Sequence, residues 1–121
     1  MKTFKDTRGK SFFDIIPDGS SQINISYNYP GTIKAFHLHK KQTDYFFCIS
    51  GEIKLVLTNP EEVFYMSQGD IQEIKPNRWH GFQVLGQEVA IMLEYATQKY
   101  APADEEREFW QKFDIWDIEK K

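Results

Sequence analysis

Hydrophobic and polar residues alternate over short stretches along most of the chain, and turn-forming glycine, proline, asparagine and serine separate the stretches. Alternation with a period of two is typical of strands that bury one face and expose the other. The segments with this pattern are Ile23–Tyr29, Thr32–His39, Tyr45–Ile49, Glu52–Leu57, Val63–Met66, Ile71–Ile74, Gly81–Val84 and Val89–Tyr95. Eight short strands joined by tight turns predict an all-β, antiparallel sandwich or barrel of the jelly-roll type.

The C-terminal region has a different pattern. The segment Ala103–Lys112 is predicted to be a short helix, because Asp104, Glu105 and Glu106 stand where acidic residues favour a helix N-terminus. The tail that follows is rich in large apolar residues, which favours docking on the barrel or on a partner subunit. These residues are Phe109, Trp110, Phe113, Ile115, Trp116 and Ile118.

Length and composition narrow the class of protein. A chain of 121 residues predicts a single domain over residues 1–121, and 16% aromatic residues favour β structure. The net charge of -3 gives no field for nucleic-acid binding. The N-terminus lacks the apolar core of a signal peptide, and no apolar run reaches the ~18 residues of a membrane span. A single cysteine, Cys48, lies in an apolar run and is predicted to be a core residue of a cytoplasmic protein.

The three histidines lie within one region of the sequence. His37 and His39 belong to the pattern G-x5-H-x-H-x4-D-x6-G over Gly31–Gly51, whose acid is Asp44, and His80 follows about forty residues later. Alternate residues on a strand point to the same face, so the first two imidazoles share a side. The spacing therefore predicts a convergent polar site, and this site is the main indication of function.

This pattern resembles the first motif of the cupin superfamily, with Asp44 where cupins usually carry Glu. The second cupin motif, G-x5-P-x-G-x2-H-x3-N, is matched in spacing from Gly69. Lys75 stands in place of Pro, Asn77 in place of Gly and Val84 in place of Asn, and His80 stands in the His position. Asparagine tolerates a left-handed backbone, so its exchange for Gly is mild. The resemblance implies a cupin jelly-roll barrel, or double-stranded β-helix, ending in the short helix and tail.

A closer resemblance covers most of the chain. Five landmarks are similar, in order, to those of the dTDP-4-dehydrorhamnose 3,5-epimerase family, and the H-x-H-Lys-Lys portion also resembles the dTDP-sugar 3,4-ketoisomerases. The resemblance implies a homodimer without a cofactor that acts on a dTDP-4-keto-6-deoxyhexose, in chemistry related to dTDP-rhamnose biosynthesis. The landmarks are Asp6-Thr7-Arg8-Gly9, Gly31–His37, Ser50-Gly51-Glu52, Trp79–Leu85 and Tyr100-Ala101-Pro102.

The family resemblance assigns roles to four residues. His37 matches the histidine that removes the proton alpha to the ketone, and an imidazole of pKa ~6.5 is a free base at neutral pH. Lys34 or His80 would stabilise the enolate. Arg8 matches an arginine that contacts the nucleotide sugar, and Lys34 replaces a substrate-binding arginine without its bidentate fork. Lys34 and His37 have opposite parity, so both face inward only if their strand is irregular.

The chain also departs from the family. The catalytic tyrosine of the family aligns with Glu94, and Asp44 stands in place of a lysine. We hypothesise that Glu94 and Asp44 act as catalytic groups beside His37. His39, His80, Tyr95 and Trp79 are predicted to bind the substrate, the last as a stacking platform, although Tyr95 points away from the site on a regular strand. These departures favour a related sugar-nucleotide isomerase over a true 3,5-epimerase.

Two alternatives remain open. His37, His39, Asp44 and His80 are a suitable ligand set for one divalent transition metal such as Mn, Fe, Ni or Zn, with open positions for water or substrate. The protein would then be a metal-dependent cupin enzyme, for example a dioxygenase or small isomerase. The second alternative is a non-catalytic cupin that binds a small sugar.

Overall fold

The computed structural model describes residues 1–109 and 115–116 as strands, turns and one short 3-10 helix, Pro102–Asp104. The strands are β1 (Lys2–Asp6), β2 (Gly9–Phe13), β3 (Gln22–Asn28), β4 (Ile33–His39), β5 (Asp44–Ser50), β6 (Glu52–Thr58), β7 (Glu62–Met66), β8 (Ile71–Ile74), β9 (Trp79–Leu85), β10 (Ala90–Ala96) and β11 (Glu105–Arg107). Within the described ranges, no helix is long and apolar enough to cross a membrane.

The strands form two antiparallel sheets that pack face to face. The first sheet has the order β1-β2-β3-β10-β5-β8, and the second has the order β11-β4-β9-β6-β7. This arrangement confirms the predicted all-β jelly roll. Each of the eight predicted strands is present, with ends within two residues of the prediction. The sequence pattern missed β1 and β2, which pair with each other at one edge of the first sheet and carry few apolar residues.

The predicted helix over Ala103–Lys112 is wrong in the part that the structure describes. Its first residues form a single 3-10 turn, and β11 then pairs with β4. Asp104 does not cap a helix; it is buried and accepts hydrogen bonds from the backbone N–H of Lys41 and from Gln98 Nε2. The open edge of β4 supplies backbone partners that outweigh the local helical preference. Residues 110–112 of the prediction lie outside the described residues.

One apolar cluster joins the two sheets. Its buried side chains come from the inner faces of both sheets. They are Phe46, Cys48, Ile53, Leu55, Leu57, Met66, Ile74, Phe82, Val84, Ala90 and Met92. Cys48 is fully buried, as predicted for a core residue, and burial raises the pKa of its thiol. Buried apolar side chains of this size each stabilise the fold by roughly 1.5–3 kcal/mol. The cluster fills one half of the barrel interior and leaves the other half open.

Part of the C-terminal tail covers the outer face of the second sheet. The ring of Trp116 lies 5.4 Å from that of Phe36, centroid to centroid, and Lys54 Nζ donates a hydrogen bond of 2.5 Å to the backbone oxygen of Ile115. The predicted docking of the tail on the barrel is therefore confirmed for Ile115 and Trp116. Phe109 is exposed. The other predicted docking residues, Trp110, Phe113 and Ile118, lie outside the described residues.

Candidate functional site

The open half of the barrel is a cavity of about 910 Å³ lined by both sheets. Phe46, Phe82 and Met92 belong to the apolar core and also line this cavity, so they form its floor. Beyond the floor, the inward positions become polar. The polar and charged lining includes Arg8, Asn24, Lys34, His37, His39, Gln42, His80, Glu94, Glu105 and Arg107.

A bulge in β4 turns Lys34 and His37 to the same side. Lys34 pairs with Phe82 and His37 pairs with His80, so three steps along β4 match two steps along β9. The extra residue changes the parity of the strand, which is the irregularity that the sequence requires if both side chains face inward. Gly81 makes room for the bulge, because a Cβ at this position would lie only 2.1 Å from the Cβ of Ala35.

The three histidines converge inside the cavity. Ring centroids are separated by 4.3 Å between His37 and His80, 5.2 Å between His37 and His39, and 5.9 Å between His39 and His80. One ring nitrogen from each lies within 4.8 Å of the others. His80 Nδ1 is 3.0 Å from the backbone oxygen of Arg78, a contact that places the proton on Nδ1 and leaves Nε2 as a lone-pair donor.

Asp44 faces the histidines from the first sheet. Its side chain is 1% exposed, and its Oδ2 lies 3.5 Å from His39 Nε2 and 3.7 Å from His80 Nε2. Gln42 Nε2 donates a hydrogen bond of 2.5 Å to the other oxygen, Oδ1. Asp44 Oδ2 and His80 Nε2 have no hydrogen-bond partner among the described residues. Buried polar atoms normally have partners, so these two atoms mark a place for a ligand, water or cation.

Burial sets the charge state of the histidines. Burial lowers the pKa of His80 to about 4 and lowers that of His39. The pKa of His37 lies well below its usual value, first through burial and then through the charges of His80, His39 and Arg107. All three rings are therefore neutral at pH 7, the form required of either a general base or a metal ligand.

Burial has the opposite effect on the two carboxyl groups of the first sheet. It raises the pKa of Asp44 to about 8, and the charge of Glu94 adds to the increase. Burial also raises the pKa of Glu94, although the hydrogen bond of 2.8 Å that Asn24 Nδ2 donates to its Oε1 opposes the increase. Gln22 Nε2 in turn donates to Asn24 Oδ1 at 2.9 Å. A carboxyl group that holds its proton near neutral pH is able to donate it, so the cavity combines bases and acids.

Two cations line another part of the cavity. Arg8, in the turn between β1 and β2, donates to Asp6 Oδ2 from Nε at 3.0 Å and from Nη2 at 2.8 Å. Lys34 comes from β4 in the opposite sheet. Burial, followed by the charge of Arg8, lowers the pKa of Lys34 to about 8. The two predicted substrate-binding cations thus lie close enough to influence one another.

Two predicted substrate-binding residues lie outside the cavity, which corrects the sequence interpretation. Tyr95 is on the outer face of the first sheet, with its ring centroid 6.1 Å from that of Tyr45. Trp79 packs on the outer face of the second sheet with the group around Phe36. The reason in both cases is that side chains alternate between the two faces of a regular strand. Tyr95 follows the inward-pointing Glu94, and Trp79 precedes the inward-pointing His80.

Several residues of the cavity are not identified by sequence reasoning, and four of them contact or flank the catalytic candidates. Gln42 and Asn24 hold the two carboxyl groups, and no local motif distinguishes them from other surface amides. Glu105 and Arg107 are brought in by β11, which pairs them with His39 and His37. The acidic run around Glu105 resembled a helix start, and only the tertiary pairing of β11 with β4 reveals its place beside the histidines.

Two facing antiparallel sheets with a histidine cluster at the open end define a cupin-type barrel. The Cupin domain family matches residues 29–95, and the chain belongs to this family. It is 31% identical over 129 aligned positions to the spore coat polysaccharide biosynthesis protein SpsL of Bacillus subtilis (strain 168), covering 90% of this chain and 85% of that protein. It is also 31% identical to the probable low-salt glycan biosynthesis epimerase Agl13 of Haloferax volcanii, covering 68% of this chain and 62% of that protein.

Solved structures with a similar fold come from larger proteins. The capsular polysaccharide assembling protein CapF of Staphylococcus aureus matches with a TM-score of 0.80 and 18% identity, over 88% of this chain and 33% of CapF. The oxalate decarboxylase of Bacillus subtilis at pH 4.6 matches with a TM-score of 0.76 and 15% identity, over 88% of this chain and 29% of the enzyme. The chain therefore spans about a third of these proteins, and the likeness establishes the fold alone.

Proposed function

We propose that this protein is an epimerase or isomerase of a nucleotide-activated keto sugar in polysaccharide biosynthesis, with His37 as the base. The observation that carries the proposal is that His37 faces an open cavity together with His39, His80 and Glu94, with the buried carboxyl group of Asp44 beside the histidines. Similarity to SpsL and Agl13, which are named for polysaccharide and glycan biosynthesis, supports the substrate class.

The chemistry follows from the charge states. A ketone acidifies the C–H bond next to it, and the neutral imidazole of His37 accepts the proton. The electron pair of that bond moves toward the carbonyl oxygen and forms an enolate. For an epimerase, Glu94 or Asp44 then returns a proton to the same carbon from the other face. For an isomerase, the proton returns to the former carbonyl carbon, while the hydroxyl proton of the neighbouring carbon moves to the former ketone oxygen and that neighbouring carbon becomes the new carbonyl. No redox step is needed.

The cavity is large enough for a nucleotide sugar. Its volume of about 910 Å³ falls in the range of ~300–1,000 Å³ that is usual for small-molecule sites. Arg8 and Lys34 provide adjacent positive charges for a diphosphate, and the sugar would then extend toward the histidines. His39 and His80 would contact the sugar ring next to His37.

A metal site is the second candidate, and the unpartnered Asp44 Oδ2 and His80 Nε2 favour it. The nitrogens of His37, His39 and His80 are within 4.8 Å of one another, a spacing compatible with one divalent ion, and Asp44 lies beside them. The residues therefore fit the ligand set of a transition metal. Such an ion supplies Lewis-acid polarisation of a carbonyl oxygen, and His37 would then be a ligand rather than a base.

We further propose that the active form is a cytoplasmic homodimer joined through the outer face of the first sheet. This face carries partly exposed aromatic and aliphatic side chains, including Tyr27 at 40% and Tyr95 at 38% exposure, and such sheet faces are usual interfaces. The unpaired Cys48 is compatible with a reducing compartment. Sedimentation equilibrium should show a dimer that Tyr27→Glu dissociates, whereas Tyr65→Glu on β7 leaves it intact. A monomeric wild-type protein would contradict this proposal.

Metal content is the first test of the proposed function. Untagged protein is measured by plasma mass spectrometry before and after chelator dialysis, with His39→Ala as the ligand-deficient control. About one ion per chain in the wild type and none in the variant would overturn the metal-free mechanism. Metal-free protein should instead exchange solvent deuterium into the carbon next to the ketone of a dTDP-4-keto-6-deoxyhexose. Absence of exchange and of metal would leave the non-catalytic alternative.

A further inference from the structure

The last described strand contributes two charged side chains to the histidine site. In β11, Glu105 pairs with His39 and Arg107 pairs with His37. Residues directly opposite each other on antiparallel strands project to the same face of the sheet. Glu105 and Arg107 therefore lie on the cavity side together with the two histidines, and both line the cavity.

The type of backbone pairing brings Arg107 close to His37. Phe36 and Glu108 exchange both of their backbone hydrogen bonds, with N···O distances of 2.7 and 2.8 Å. In an antiparallel ladder the next pair is then non-hydrogen-bonded, with Cα atoms about 4.5 Å apart and side chains closer than in the hydrogen-bonded pairs. His37 and Arg107 occupy this closer pair, so the two side chains start side by side, and the charge of Arg107 acts on both His37 and His39.

Glu105 holds Arg107 without occupying all of its donors. The side chain of Glu105 is 8% exposed and accepts a hydrogen bond from Arg107 Nε, whereas the side chain of Arg107 is 71% exposed. Tyr100, at the cavity rim, also bonds to Arg107. A guanidinium has five N–H donors in a fixed fork, so donors remain that can meet a ligand entering the cavity.

The other cations are placed for a different task. Lys34 lies on β4 three residues before His37, and the charges that act on it are those of Arg8 and Asp6 from the turn region of β1 and β2. The groups whose charge acts on His37 are His80, His39 and Arg107, and of these Arg107 carries the permanent positive charge. Arg8 and Lys34 are therefore placed to bind the diphosphate of the substrate, and Arg107 is placed to contact the atoms that react at His37.

We propose that Arg107 is a catalytic residue that donates hydrogen bonds to the ketone oxygen of the sugar while His37 removes the neighbouring proton. This role depends on the proposed epimerase or isomerase function. The C–H bond breaks, its proton goes to the imidazole, its electron pair forms a C=C bond, and the carbonyl π electrons move to oxygen. The guanidinium stabilises the resulting enolate until a proton returns to carbon and the ketone forms again. Glu105 acts as a positioning residue for Arg107.

The test is steady-state deuterium exchange into a dTDP-4-keto-6-deoxyhexose by wild type, Arg107→Gln, Arg107→Lys and Lys34→Gln. Loss of a preorganised oxyanion donor lowers kcat ~10²–10³-fold, and the solvent at the cavity rim reduces this to about 10- to 100-fold for Arg107→Gln. KM should change less than about threefold, because the ground-state ketone binds Arg107 weakly. Lys34→Gln should mainly raise KM. Glu106→Gln, on the same strand but opposite Leu38 and exposed, is the matched control and should leave both constants unchanged.

Chemical rescue distinguishes the catalytic role of Arg107 from a purely structural role. Guanidinium ion at millimolar concentration should restore part of the exchange rate to Arg107→Ala, and Arg107→Lys should retain more kcat than Arg107→Gln. An unchanged kcat in Arg107→Gln, or a rise in KM alone, would overturn the role of Arg107 and leave the proposed function intact. Absence of exchange in the wild-type protein would overturn both.

Discussion

The two halves of the barrel interior share the same strands but contain opposite chemistry. β5, β9 and β10 each extend through both halves, and along each of them the inward residues change from apolar in the packed half to ionisable near the cavity. The series are Cys48, Phe46 and Asp44 on β5; Val84, Phe82 and His80 on β9; and Ala90, Met92 and Glu94 on β10. The fold itself does not require this change, because inward positions further along the same strands hold apolar residues.

The change costs stability. Buried apolar side chains stabilise the packed half, whereas burial shifts the pKa of His80 to about 4 and that of Asp44 to about 8. Shifts in these directions mean that the folded state disfavours the charged forms. Groups with strongly shifted pKa values cluster at functional sites, so the comparison marks the cavity as the candidate functional half.

Removal of the proposed base should have the largest effect. We expect His37→Gln to lower the rate of deuterium exchange ~10²–10⁴-fold, since a positioned general base contributes a factor of this size. The neutral imidazole is replaced by a neutral amide, so the thermal midpoint should change little. Exchange rates from NMR and melting curves from calorimetry measure the two quantities.

The control for His37 is Trp79→Phe on the outer face of the second sheet. Its exchange rate should stay within about threefold of wild type, because Trp79 packs outside the cavity. A large loss of kcat in this variant would show that Trp79 contributes to the substrate site, and it would contradict the assignment of Trp79 to the outer face.

A substitution in the packed half should have the reverse effect. Leu55 is fully buried in β6, so Leu55→Ala should lower the free energy of unfolding by ~2–5 kcal/mol. Below the unfolding temperature, kcat for exchange should remain within about threefold of wild type. Urea unfolding measures the first effect. Ile71→Ala, at a position that is 62% exposed, is the control and should cost less than about 1 kcal/mol.

The contact between Gly81 and the bulge joins stability to function. In Gly81→Ala the new Cβ would lie 2.7 Å from Ala35 Cα and 2.8 Å from the backbone oxygen of Lys34. Overpacking of this kind costs ~1–3 kcal/mol, and the resulting shift would move Lys34 and His37 out of place. We therefore expect lower stability together with a higher KM and a lower kcat.

A double-mutant cycle with Ala35→Gly sharpens that prediction. Removal of the Ala35 Cβ relieves the closest contact, 2.1 Å, but leaves the backbone contacts in place. The double variant should therefore be more stable than Gly81→Ala and less stable than the wild type. Additive free energies would show that the two residues do not meet, contrary to the described bulge.

The amino-acid sequence predicts the structure best where one local rule decides it. Alternation located eight strands, and Asn77 has the positive φ of 66° expected of the residue that replaces Gly in the second motif. Local rules fail where the pairing of distant strands decides the local structure. β11 was predicted as helix because its acidic residues suit a helix start, and Arg107 was therefore not recognised as a neighbour of His37. Trp79 and Tyr95 were placed in the site by proximity in sequence, although strict alternation points them outward.

The smallest effect concerns the stability cost of a single cation in the cavity. Burial and Arg8 lower the pKa of Lys34 to about 8, compared with ~10.4 in an unfolded chain. Between these values the unfolded state binds more protons than the folded state, so the contribution of Lys34 to stability rises with pH from about 8 to about 10.5. Below pH 8 the charged amine is a net cost, and Lys34→Met should therefore stabilise the protein at pH 7 by about 1 kcal/mol after solvent screening.

This gain should fall toward zero as the pH approaches 10.5, where Lys34 of the wild type is neutral in both states. Urea unfolding of both proteins from pH 6.5 to 10.5 measures the trend, with Lys40→Met, an exposed position just beyond β4, as the control. A stabilised variant with raised KM would mean that Lys34 is kept for the substrate at the expense of the fold. A destabilised variant at pH 7 would mean that Lys34 stabilises the fold, and that other residues must bind the diphosphate.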